Sequence, residues 1–153
     1  MYARMLQNII RRVLAYALAV LAGYLAAAVV ATQFVLARFP DMGVAVGFGD
    51  RLSTTAFDVV GMASTYLPII AIAFAIAFPV AALVHRWRPD WRWFGYPLAG
   101  AVALLAVHVS MTVAFGFTLM APVRTLAGLL AQGLCGALGG WVLLRARPRA
   151  AAA

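Results

Sequence analysis

Lysine and glutamate are missing from this chain altogether, and cysteine occurs once, at Cys135. A lone cysteine excludes a redox dithiol and an internal disulfide. Histidine occurs only at His85 and His108. Zinc sites draw on several Cys, His or carboxylate ligands, and no such cluster stands in the sequence. A haem held by both histidines is excluded by depth. His85 falls at one edge of an apolar segment and His108 in the far half of the next, roughly 20 Å apart by helical rise. The acidic residues are Asp41, Asp50, Asp58 and Asp90, none inside an apolar run. Proton-coupled transport usually relies on a carboxylate in the core, and this chain offers none. No cofactor is expected, and no catalytic residue. Ser64, His108 and Asp58 can be named together as a nucleophile set, but only a shared end of the bundle supports it.

Charge itself is scarce. Only 10% of the 153 residues are charged and 66% are hydrophobic, against roughly 25% charged for an ordinary soluble domain. The charged residues divide the chain into long apolar runs. There are 25 residues without charge between Arg12 and Arg38, and 26 between Asp58 and His85. A further 31 lie between Arg92 and Arg124, and 20 between Arg124 and Arg145. About 20 apolar residues are needed for a helix to cross the hydrocarbon core. The runs lack the polar–apolar alternation of a β-barrel. The expectation is an all-α integral membrane protein: a four-helix transmembrane bundle forming one domain over 1–153, with helices at about 13–36, 59–84, 95–116 and 124–144. The first run follows Arg11 and Arg12 as a signal peptide would. It is much longer than the usual apolar stretch of about 7–15 residues, so a retained helix is expected.

The twelve basic residues are all arginine, giving a net charge of +8. Nine of them fall at one end of a four-span bundle: Arg4, Arg11, Arg12, Arg86, Arg88, Arg92, Arg145, Arg147 and Arg149. At the other end Arg38, Arg51 and Arg124 are offset by Asp41, Asp50 and Asp58. The positive-inside rule then puts both termini in the cytoplasm of a bacterial inner membrane. The charge marks topology, and nucleic acid is not an expected partner.

The densest cluster, HRWRPDWRWFGYP at 85–97, is expected to be the cytoplasmic hairpin between helices 2 and 3. Trp87, Trp91, Trp93 and Tyr96 would sit at headgroup level, with Trp141 near the same surface. Arg86, Arg88 and Arg92 would reach anionic headgroups of the lipid bilayer. The connection over 37–57 is longer, with Pro40, Gly43, Gly47 and Gly49. Asp50 or Ser53 could cap a helix there. A straight helix from Arg51 to Val84 would measure about 50 Å, so a break or bend near Gly61 or Pro68 is expected.

Small residues recur at intervals of four: Ala15, Ala19, Gly23, Ala27 and Ala31 in helix 1, and Gly128, Gln132, Gly136 and Gly140 in helix 4. Such faces let helix backbones approach closely. They serve packing within the bundle or association with a second copy or another membrane protein. The polar residues gather toward the outer end: His108, Ser110 and Thr112 on helix 3, Gln132 on helix 4, Ser64 and Tyr66 on helix 2. Thr32 and Gln33 add to them from helix 1, and Asp58 and Arg124 flank the mouth. If the hairpin of helices 3 and 4 turns near Met120, His108 and Gln132 lie at one depth and face each other. A buried ionisable residue in a span is a candidate site by default, although a histidine that only stitches two helices together fits as well. The function expected is a small inner-membrane accessory or scaffold subunit acting through helix–helix assembly. The alternative is an oligomeric transporter or channel protomer, or an outward-facing small-ligand binder, built on His108 and Gln132.

Overall fold

A computed structural model describes residues 2–116 and 121–147; within these, the side chains of Ala3, Pro89, Arg92 and Phe115 are not described. The described residues form four α-helices: α1 Tyr2–Leu36, α2 Phe48–Trp87, α3 Arg92–Phe115 and α4 Leu126–Ala146. All four are long and apolar enough to cross a membrane. Short 3-10 turns fill the connections at Pro40–Met42, Pro89–Trp91 and Ala121–Arg124. Each helix packs on the next, and α4 closes the ring against α1. Short connections between successive helices make the neighbours antiparallel. The arginine-rich segments therefore gather at one end.

Two helices are longer than their charge-free runs. α1 has 35 residues and α2 has 40, about 52 and 60 Å at 1.5 Å per residue. The helical backbone continues past the arginines of α1 and backwards through Arg51 and Asp50 in α2. No break occurs at Gly61 or Pro68: α2 is one continuous helix through Gly61, Pro68 and Pro79. Proline removes one helical hydrogen bond, yet helices among packed neighbours tolerate it. Here α1 braces α2, with the hydroxyls of Tyr16 and Tyr24 donating to the carbonyls of Ala71 and Val59.

The helix starts also differ from expectation. α2 begins after Gly47, and Asp50 sits three residues inside, where its carboxylate accepts the Gly47 N–H at 3.1 Å. Thr125 caps α4, its hydroxyl accepting from the Gly128 N–H at 3.1 Å. Gly43 and Gly116 end their elements at φ of +77° and +67°, a left-handed conformation in which a Cβ is strained.

Glycine sets the packing of α4. A Cβ on Gly100 would lie 2.1 Å from the Gly136 carbonyl oxygen, and one on Gly136 would lie 2.2 Å from that of Gly100. Gly140 meets the Tyr96 carbonyl in the same way, at 2.0 Å. These three fix the α3–α4 approach with backbone against backbone. Gly128 belongs elsewhere, since its Cβ would strike the Pro122 carbonyl in the preceding turn. Gly139 and Gly23 make room for the Phe74 ring of α2. The alanine stripe of α1 is buried as well, from Ala15 to Ala31. The small-residue faces of α1 and α4 thus lie inside the bundle. Its exterior carries large apolar side chains such as Leu18, Leu25, Ile72, Ile76 and Leu134.

Candidate functional site: a buried hydrogen-bond chain through four helices

Three buried side chains with polar atoms, one from each of α2, α3 and α4, meet at the centre. Tyr66 is 1% exposed, His108 2% and Gln132 0%. The Tyr66 oxygen lies 3.0 Å from His108 Nε2 and 3.1 Å from Gln132 Oε1. The Gln132 amide nitrogen donates at 3.0 Å to the Ala27 carbonyl of α1. Counting protons fixes the directions. The Gln132 amide must present Oε1 to Tyr66, because its nitrogen is engaged with a carbonyl. The single phenolic proton of Tyr66 therefore goes to Gln132, and His108 Nε2 must carry the proton it donates to the Tyr66 oxygen. The chain runs His108 to Tyr66 to Gln132 to Ala27, through α3, α2, α4 and α1 in turn. It ties together all four helices.

His108 and Gln132 do come together, on one Tyr66 hydroxyl, with an offset in register that the sequence does not show. The glycine contacts pair residue 100 with 136 and 96 with 140, which sets Leu104 opposite Gln132. His108 lies one turn further along, and the hydroxyl of Tyr66 spans the offset. Met120, the expected turn centre, lies outside the described residues. One atom of the cluster is left over: His108 Nδ1 is buried without a hydrogen-bond partner.

The other residues expected here are dispersed. Ser64 and Ser110 are exposed on the outside of the bundle; Ser110 lines a groove between α2 and α3. Thr112 donates to the His108 carbonyl at 2.9 Å, a bond within its own helix. Asp58 accepts from Thr32 at 2.8 Å, and Arg124 is exposed in the turn before α4. A second polar ladder, not foreseen as a unit, joins α1 to α2 at this end. Arg51 donates to Gln33 at 3.1 Å, and Gln33 donates to Thr55 at 2.9 Å. Thr32 and Gln33 were visible as polar residues ending an apolar run. Asp58 was visible at the same end, but the pairing across α1 and α2 was not, because it depends on how the two helices are rotated.

At the opposite end Trp87, Trp91 and Trp93 are exposed, as are Arg86 and Arg88; the Arg92 side chain lies outside the described residues. Tyr96 departs from the expected headgroup position. It is buried, its ring 4.9 Å from that of His85 and 6.3 Å from that of Phe78. Trp141 lies beneath Arg145, whose guanidinium carbon is 5.0 Å from the ring centroid.

Among the described residues, no three of His, Cys, Asp and Glu come together as a metal site would require. The chain matches no protein-family model, no curated protein and no solved structure.

Proposed function

We propose that this protein is a four-span membrane accessory or scaffold subunit. It has both termini on the arginine-rich, cytoplasmic face of a bacterial inner membrane, and it works by holding a transmembrane helix of a partner protein. The observation that carries this reading is the groove between α2 and α3, about 540 Å³ in volume. Seven of its thirteen lining residues are alanine or serine, among them Ala73, Ala77, Ala99, Ala106, Ser110 and Ala114. The rest are larger, such as Ile69, Ile76, Val102 and Met111. The small faces of α1 and α4 are closed inside the bundle, whereas this one is open. Lipid chains conform to any apolar surface, so lipid gives no reason for small side chains there. A helix backbone does, because close approach is the main source of helix association in lipid. The polar core supports the same reading, since its groups are engaged with one another across the bundle.

Photo-crosslinking residues at Ala77 and Ala106, with Leu18 and Leu134 as outward controls, test this in cells. The expected result is one discrete adduct from the two groove positions, mapped by mass spectrometry to a transmembrane helix of another protein. Ala77→Leu and Ala106→Leu should abolish it. Adducts from all four positions alike would overturn the groove as the docking face.

A second reading rests on His108 Nδ1, the buried ring atom without a partner. In a ligand binder or transporter protomer this atom would receive the ligand. A homo-oligomer turning this cluster inward, with no hetero-adduct from the groove, favours that function.

A further inference from the structure

At the arginine-rich end a cavity of about 190 Å³ opens among α1, α2 and the tip of α4. Its walls are Tyr16, Phe74, Phe78 and Leu143, and two guanidinium groups line it, from Arg12 and Arg147. None of the four acidic residues lines it. Asp41, Asp50 and Asp58 belong to the opposite end, and Asp90 to the α2–α3 turn. Two arginines thus border one cavity whose lining holds no carboxylate. An anion bound there is attracted by both charges.

Arg147 is also held in place. Its Nη1 donates to the Tyr96 hydroxyl, and its guanidinium carbon stands 4.7 Å from the Tyr96 ring centroid. One of five donors is engaged there, and a planar guanidinium fixed at one edge presents the rest in a set direction. Arg145 is occupied differently, over the rings of Trp93 and Trp141 at 5.8 and 5.0 Å. The aromatic walls lower the local polarity, which strengthens charge-assisted hydrogen bonds made against them.

We propose that Arg12 and Arg147 form a binding site for a phosphate group carrying net negative charge. The group belongs either to an anionic phospholipid headgroup or to a soluble phosphate ester. The site rests on the two arginines and the cavity alone. Only the lipid source rests on the membrane reading above, and neither depends on the partner helix.

The test uses the full chain purified in a neutral detergent. In one arm, native mass spectrometry counts lipid retained from equimolar phosphatidylglycerol and phosphatidylcholine. In the other, calorimetry measures binding of glycerol 1-phosphate. Phosphatidylglycerol should be retained preferentially. R12Q/R147Q, which removes both arginines of the cavity, should abolish the preference for phosphatidylglycerol. R4Q/R11Q, which removes the same charge from the same end of the bundle but outside the cavity, should lose clearly less. A75F fills the cavity without changing charge and should also abolish the preference, which decides the matter if R12Q/R147Q does not fold. Binding of glycerol 1-phosphate without lipid preference assigns the site to a soluble ester. Equal loss in R4Q/R11Q, retention in A75F, or no binding in either arm would overturn the site.

Discussion

Tyr66 carries more of the structure than either residue it joins. Its hydroxyl contacts His108 and Gln132 together, so removing one oxygen atom strips a partner from both. A hydrogen bond between helices in lipid is worth only about 0.6 kcal/mol on average. A buried polar group left unpaired costs more, about 1–3 kcal/mol. Tyr66→Phe, which keeps the ring packing, should therefore lower stability by about 1–3 kcal/mol in a denaturant titration of the detergent-solubilised protein. His108→Leu and Gln132→Leu should each destabilise, and the double change should cost less than their sum because the two share Tyr66. Additive losses would show that the chain does not act as a unit. The sequence revealed the two ends of this chain but not its middle link as such. Depth counting along α3 and α4 placed His108 and Gln132 near each other. Nothing in either helix shows that the offset between them is bridged from α2.

The helices were legible because charge interrupts them so rarely. Their ends were not, since a charge-free run marks where lipid begins and a helix need not stop there. α1 continues through Arg4, Arg11 and Arg12, and α2 through Arg51 and Asp50. Pro68 did not break α2 for a related reason: the cost of a proline is set by neighbouring helices, which local sequence does not show. Spacing by four identified Gly136 and Gly140 on α4. It missed Gly100, which has no glycine at that interval on α3, and Gly139, on a different face. These glycines give an element-scale prediction in which one substitution has opposite signs. A Cβ at Gly100 or Gly136 meets backbone near 2 Å, whereas at Gly61 it meets nothing within 4 Å. Gly100→Ala and Gly136→Ala should each destabilise by about 1–3 kcal/mol or more, the usual range for overpacking. Gly61→Ala, in the helix interior, should be neutral or stabilising by up to about 1 kcal/mol. Thermal or denaturant unfolding of the three variants side by side measures this. Equal losses at all three would mean that helix propensity, and not the α3–α4 approach, governs these positions.

At the scale of the molecule, the asymmetry of charge and the antiparallel ring of helices lead to one arrangement. Among the described residues, eight arginines belong to α1, to the end of α4 and to the segment around the α2–α3 turn. The connection carrying Asp41, Gly47 and Asp50 lies at the other end. The cavity of Arg12 and Arg147 and the exposed tryptophans take their sidedness from this division. Reporter fusions test it most directly, placed in the α1–α2 connection at Gly47, in the α2–α3 turn after Arg92, and after Ala153. Cytoplasmic signals after Arg92 and Ala153, with a periplasmic signal at Gly47, are the predicted result. A cytoplasmic signal at Gly47 would contradict the four-span arrangement and every assignment of side that rests on it.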